Sequence, residues 1–507
     1  MELKGGLIAY LLARGEVANP AGPWPRSVVG VDVWRDAIDA LDEGEITLSG
    51  LWGEPGFVRM AVIAQAFDQT GILVLPCPTG RFPSVAARHR PAIRLERALA
   101  DLVGLIADGA PDPRPWLDHG RWPVAHPLGA AGPATPSPPY AFLPSVGESL
   151  HQIPVGPVHA GVIEPGHFRF TVNGETIVRL EARLGYVHRG LEKAMTGAEI
   201  AHAARLAGRA SGDSTVAYAT AFARAVEAAL DARPPPRAHW LRGLMAEFER
   251  LANHLGDIGA VCNDASFALM HAHTAVLRER VLRACATAFG HRLMMDRVIP
   301  GGVTRDLDAA GVTALHRLVE DLRRRFPTLV DLYDETASLQ DRTVGAGRLA
   351  ADLVRAFGAG GYVGRASGRA FDARRALAYP PYTHLTFDVP TRDAGDVDAR
   401  VWLRIEEVRQ SLNLIEQMLA SPVEGPVLAD LPTDSAGEEG TAMVEGFRGD
   451  VLAWVRLEGS GRVARAHLRD PSWFQWPLLE ACVEGNIVAD FPLCNKSFNC
   501  SYAGCDL

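Results

Sequence analysis

This 507-residue chain has no run of about 18 consecutive apolar residues, so no segment is expected to span a bilayer. Cysteine is scarce: seven residues, none in a Cys-x-x-Cys pair. An odd count without scaffold spacing excludes a disulfide framework and points to a reducing, cytoplasmic compartment. Neither a Gly-x-Gly-x-x-Gly loop nor a Walker A loop occurs, so the chain itself is expected to bind no flavin, nucleotide or Fe–S cluster. There is no Lys/Arg-rich run, and 51 basic against 60 acidic residues give a net charge of −9, which argues against nucleic-acid binding. The opening "MELKGGLIAYLLARGEVANP" lacks a small-residue cleavage site before Arg14 and Glu16, and is read as part of the fold rather than a signal peptide. What remains is ordinary globular composition, 48% hydrophobic and 22% charged, with ample material for a core.

Residues 1–120 alternate strand-like runs ("EITLSGLWGE", "GILVLPCP") with amphipathic helical patterns ("VWRDAIDALDEG", "AIRLERALADLVGLIADG"). Residues 121–147 are rich in Pro, Gly and Ala and read as an extended linker. Residues 148–507 form the third part. It begins with a hairpin signal at Asn173-Gly174 and continues as helices from about 185 to 290, broken at "ARPPPRAHW". Further helices are predicted at about 308–324, 346–357 and 398–420, with "HLTFDVP" strand-like between the last two. Short strands return in "AMVEGFRGDVLAWVRLEG" and "RVARAHLRD", and a loop-rich tail closes the chain. The expected class is α+β: a small N-terminal α+β domain, a linker, and a large mainly helical domain with β-rich ends.

Phe82 to Trp116 ("FPSVAARHRPAIRLERALADLVGLIADGAPDPRPW") resembles the 30-kDa-type subunit of respiratory complex I. The motifs "GPVHAGVIEPGHFRF", "GYVHRGLEKAM", "EFERLANHLGDIGAVCND", "PGGVTRDL", "DRTVGAGRL", "GRASGRAFDARR" and "IEEVRQSLNLIEQ" follow in order. Together they resemble the 49-kDa-type complex I subunit and the large subunit of membrane-bound [NiFe] hydrogenases, in the formate hydrogenlyase and energy-converting hydrogenase-related branch.

The hydrogenases carry Arg-x-Cys-Gly-x-Cys where this chain has "RLAGRA", so the resemblance places Ala207 and Ala210 at the first two nickel-ligand positions. Thiolates are the ligands such metals need, and a methyl group offers none. Aligned through "DFPL", the C-terminal pair falls on Ser501 and Gly504; a one-residue shift gives Cys500 and Ala503. No metal is expected. A working [NiFe] centre would require unusual ligands from Cys494, Cys500 and Cys505.

Other roles follow from the resemblance. Glu192, at i+3 from Arg189 on an expected helix, matches a proton-relay glutamate, a task suited to a buried carboxyl with a raised pKa. Tyr218 matches the tyrosine that hydrogen-bonds quinone, and Asp264 the aspartate that supports the quinone histidine. His159 matches the first loop histidine; the second position is taken by Pro165, with His167 two residues on. The stretch from Arg365 to Arg375 is read either as a solvated basic surface or as a cationic loop beside a partner's cluster. These likenesses imply a metal-free large subunit on the cytoplasmic face of the inner membrane, with catalytic residues Glu192, Tyr218 and Asp264. It would bind no cofactor except possible quinone at His159, His167 and Tyr218. Its expected partners are a small subunit with a [4Fe–4S] cluster and antiporter-like and heel-type membrane subunits. The alternative is a non-catalytic coupling or scaffold subunit of the same kind of complex.

Overall fold

The computed structural model describes residues 6–19, 24–134, 139–160, 163–432 and 438–507. The expected α+β class is what it shows. In the N-terminal part, strands Glu16–Asn19, Arg26–Val28, Thr70–Pro76, Phe57–Ala64 and Ile46–Glu54 lie side by side in that order. Arg26–Val28 runs parallel to Thr70–Pro76 and the other pairs are antiparallel. Amphipathic helices Val31–Asp42 and Ile93–Val103 cover this sheet with their apolar faces.

The strand Ile46–Glu54 is buried at all nine positions. A strand is buried on both faces only when layers pack on both sides. One layer is the 93–103 helix. The other is a C-terminal sheet of strands Glu439–Glu445, Asp450–Glu458 and Arg462–Arg469, joined as two hairpins.

The segment after residue 120 does more than connect. Leu128 is buried, its amide bonds Leu102 O, and Gly129 lies so close that a Cβ there would meet Val103 O at 2.0 Å. Tyr140 sits beside the guanidiniums of Arg97, Arg114 and Arg183.

The hairpin His167–Asn173/Thr176–Arg183 turns at Gly174 as its Asn-Gly signal predicts, with Leu150–Val155 as the third strand. Helices follow at Leu191–Met195, Ile200–Ala207, Thr215–Ala229, Pro236–Asp264 and Ala268–Phe289. Pro236 opens its helix because its fixed φ and missing N–H suit the first turn. Helix Ala309–Glu335 runs through Pro327, further than its predicted end. Val397–Ala420 lies where periodicity places it.

Two expectations fail. "HLTFDVP" forms no strand; the Thr386 amide and carbonyl bond the side chain of Gln417 on the neighbouring helix. The tail is not loop-rich: helices Ser472–Cys482 and Phe491–Phe498 precede a buried end, 501–507.

Candidate functional site

The loop after helix Ile200–Ala207 meets the C-terminal segment. Asn499, in the left-handed conformation at φ 46°, ends the 491–498 helix and sends the chain inward. Ala207 and Ala210 are fully buried methyls. Ser501 Oγ lies 3.0 Å from Ser211 Oγ and accepts a hydrogen bond from the Gly504 amide at 2.9 Å. A Cβ on Gly504 would stand 2.5 Å from Asp470 Oδ2. Arg189 pins the loop by donating to the carbonyls of Arg209 and Ala210. A nickel–iron centre does not fit this arrangement: two positions are methyls, one is a hydroxyl already bonded, and one has no room for a side chain. Among the described residues no group of three or more His, Cys, Asp or Glu could hold a metal ion. Cys494, Cys500 and Cys505 are buried free thiols whose pKa values burial pushes up, opposite to what thiolate ligation needs.

Tyr218 on the 215–229 helix is fully buried and donates its hydroxyl to Asp470 Oδ2 at 2.7 Å. Asp470 Oδ1 in turn accepts the Ser472 amide at the start of the 472–482 helix. Burial and the adjacent carboxylate push the phenol well above its usual pKa, so it is a neutral donor. Beside this pair a cavity of about 340 Å³ is lined by Ser211, Asp213, Arg448, Lys496, Asn499 and Tyr502, among others, and Tyr218 is not on its wall. Arg448 closes one side, paired with Asp213 at 2.6 Å and bonded to Ser214 Oγ. Asn499 donates to Asp257, which Arg404 also holds.

The remaining predicted residues are dispersed. Arg189 precedes Gly190, which takes φ 64° ahead of the Leu191–Met195 helix, so the expected Arg189–Glu192 helical pair does not form. Glu192 instead pairs with Arg465 at 2.9 Å and His467 Nδ1 at 2.8 Å and accepts the Leu468 amide. Burial raises its pKa, but Arg465 and His467 outweigh that and hold the carboxyl at about 2. The expected raised pKa is therefore reversed. His159 Nε2 lies 3.3 Å from the Tyr502 hydroxyl, at the cavity. His167 is elsewhere, packed on Phe142 and facing a separate cavity of about 780 Å³ with Arg114, Arg183 and His188. Asp264 ends the 236–264 helix half-buried, and its carboxylate bonds neither histidine. The structure thus groups His159 with the Tyr502 cavity but brings neither Asp264 nor His167 to Tyr218. Sequence reasoning missed Asp470, Arg448 and Tyr502. The one available signal was Asp470-Pro471-Ser472, a carboxylate at the start of an apolar helix.

Residues 264–436 and 432–507 match the family described as the respiratory-chain NADH dehydrogenase 49 Kd subunit. The chain is 32% identical over 436 residues to formate hydrogenlyase subunit 5 of Escherichia coli K12, covering 84% of this chain and 77% of that protein. The chain belongs to this family. An NADH-quinone oxidoreductase subunit of Syntrophobacter fumaroxidans is 30% identical over 355 residues, 69% of this chain and 95% of that protein. A chain of the membrane-bound sulfane sulfur reductase, an archaeal respiratory membrane complex, superposes with a TM-score of 0.67 at 26% identity, covering 72% of this chain and all of that one.

In this member of the 49 Kd family the arginine-rich stretch is neither a solvated surface nor a bare cationic loop. Arg365 is buried and pairs with Glu407 and with Glu445 at 2.9 Å. Arg374 is buried between Asp372 at 2.7 Å and Glu247 at 3.0 Å. Arg250 and His254 add to Glu407 at 3.3 and 2.8 Å. Arg369 is buried against Phe67 and Phe371, and Arg375 alone is exposed. Carboxylates from three other elements pair with Arg365 and Arg374, whereas Arg369 donates to the Ala359 carbonyl and neither it nor Arg375 has an ion pair among the described residues.

Proposed function

We propose that the chain is the large subunit of a complex-I-like, hydrogenase-related membrane oxidoreductase, built without nickel. Electrons would come from a [4Fe–4S] cluster on a small partner subunit to an acceptor, a quinone headgroup or another small oxidant, coupled to proton translocation. The observation that carries this reading is the cavity beside positions 207–211 and 501–504, where hydrogen-bonding side chains stand instead of thiolates. The relatives named above, a formate hydrogenlyase subunit and an NADH-quinone oxidoreductase subunit, support membership of such a complex. Among the described residues no helix is long and apolar enough to cross a membrane. A peripheral position on antiporter-like and heel-type membrane subunits, at the cytoplasmic face, agrees with this.

Within the cavity Tyr502, backed by His159, and Lys496 are the groups placed to donate a hydrogen bond or proton to an acceptor. Tyr218 acts there only through Asp470, and Glu192, held ionised by Arg465 and His467, is a charge anchor rather than a ready proton donor. Elemental analysis of the purified complex, with a quinone-reduction assay, tests the reading. The expected result is no stoichiometric nickel and a loss of turnover of at least about tenfold in Tyr502→Phe. Stoichiometric nickel with hydrogen evolution overturns it.

The closure of the former ligand positions by Ser211, Ser501 and Gly504 favours a second reading, a coupling subunit that carries conformational change but no redox step. Turnover unchanged in both Tyr218→Phe and Tyr502→Phe selects that reading over the first.

A further inference from the structure

The 215–229 helix that carries Tyr218 near its start carries a different set of groups further along. Thr220 and Arg224 are four residues apart and share a face. The Arg224 guanidinium lies over the Tyr379 ring at 4.8 Å, yet among the described residues it makes no ion pair and no hydrogen bond, and its Nε is sealed from solvent without a partner. Thr220 Oγ1 is buried and equally unpartnered. His239, from the next helix, lines the same space, and its ring nitrogens have no partner among the described residues. Burial lowers the pKa of Arg224 and brings that of His239 to about 4, so the imidazole is neutral at pH 7 and offers one N–H.

Nearby carboxylates do not relieve Arg224. Glu227 is taken by Arg242 at 2.6 Å and by the Gly301 amide, and Glu439 by Arg26 at 2.7 Å and by Arg59. Asp231 is exposed at the rim. Arg224 is part-buried, and a partly desolvated cation without a counter-ion carries a cost that a bound anion would relieve. Arg224 and His239 open onto a cleft of about 520 Å³, a size suited to a small ligand, with walls that include Trp24, Ile72, Leu377, Tyr379 and Met443. An inner recess of the same cleft is lined by Thr220, Pro380 and Pro381.

The geometry points to this cleft as a binding site for a small organic carboxylate, whose carboxylate engages the Arg224 fork with Thr220 and His239 beside it. The apolar body of the ligand lies against Trp24, Ile72 and Tyr379. A planar guanidinium suits a carboxylate because two parallel N–H groups meet two oxygens. The site is separate from the cavity at Arg448 and Lys496 and shares no lining residue with it. The cleft lies along the 215–229 helix, while residues 211–213, just before that helix, line the other cavity; Arg224 stands about 9 Å along the helix from Tyr218.

Calorimetric titration of the full chain with benzoate, and with neutral benzamide of the same shape, tests the site. Benzoate is expected to bind with a dissociation constant of about 1 mM or tighter, and benzamide at least about tenfold more weakly, because only the first carries the charge. Arg224→Met is expected to abolish benzoate binding while the ligand-free chain unfolds within about 2 °C of wild type, since no partner is left unpaired. Thr220→Val, which swaps an unpartnered hydroxyl for a methyl, is expected to fold normally and to weaken benzoate severalfold; it carries the test if Arg224→Met does not fold. The inference falls if benzoate shows no binding up to about 10 mM. It falls equally if benzamide binds as well as benzoate, or if neither variant weakens benzoate binding.

Discussion

At the scale of single residues, position 504 shows why the loop and the C-terminal segment leave no place for a fourth thiolate. A cysteine there is excluded by Asp470, whose Oδ2 would lie 2.5 Å from its Cβ, and Asp470 is the acceptor for Tyr218. Asp470, the acceptor for the phenol, stands in space that the resemblance gives to a metal ligand. Glu192 illustrates the same principle in charge. Its carboxylate gains from Arg465 and His467 more than burial costs it, which is why its pKa falls to about 2 from 4.5. A group with a lowered folded-state pKa adds stability above its unfolded value and loses it as pH falls through the folded value. Glu192 should therefore contribute about 3 kcal/mol at neutral pH, lost as pH drops from about 4.5 toward 2. Glu192→Gln is expected to cost about 3–5 kcal/mol at pH 7, because it strands Arg465 in the interior. Urea denaturation over a pH series checks both: the gap between wild type and variant should narrow below about pH 4.5 and close only as the pH approaches about 2.

At the scale of elements, the start of the 215–229 helix is held by a carboxyl from the 236–264 helix. Glu249 accepts the amides of Val216 and Ala217, two donors that a helix start leaves without intrahelical partners. Burial, with Asp213 nearby, raises its pKa to about 8 despite those bonds. The sign is opposite to that of Glu192. The folded state keeps a proton the unfolded state has lost, so stability should fall as pH rises from about 4.5 to 8 and level off above. Glu249→Gln keeps an acceptor without a titration, and its stability between about pH 5 and 8 should be flatter than that of wild type by a few kcal/mol. Thermal unfolding across that range is the measurement.

Helices of this kind were legible from sequence where apolar spacing and a terminal signal agreed, as at Pro235-Pro236. They were not legible in the tail, where Pro477 sits inside one helix and Pro492 in the first turn of the next. "HLTFDVP" misled because its alternation imitates a half-buried strand, while its backbone is paired by the amide side chain of Gln417. The positions that the resemblance gives to metal ligands rest on local motifs, which a sequence displays directly. The Tyr218–Asp470 bond was not legible, since it joins residues 252 apart. The solvated reading of the arginine stretch failed for the same reason: Glu247, Glu407 and Glu445, which pair with the buried Arg365 and Arg374, lie in other elements.

At the scale of the whole molecule, the N-terminal sheet and the C-terminal sheet share an interior. Trp52, on the fully buried strand 46–54, stacks on His467 at 5.2 Å and meets Trp454 at 5.8 Å. His467 is also a partner of Glu192, so this contact leads directly to the helix that follows the 167–183 hairpin. Around it Arg456 reaches Glu54 at 2.7 Å, Arg59 reaches Glu439 at 3.2 Å, and Arg469 donates to the carbonyl of Ser49. Two units joined only by a connector unfold separately; two units that complete each other's core do not. We therefore expect one cooperative calorimetric transition for the full chain. Trp52→Ala, which leaves a cavity between the two sheets, is expected to destabilise it by about 3–5 kcal/mol. The informative readout is where that loss falls. If the sheets share one core, native-state hydrogen exchange should rise together in strands 57–64 and 450–458; exchange confined to the N-terminal strands would show that the large unit stands without its partner.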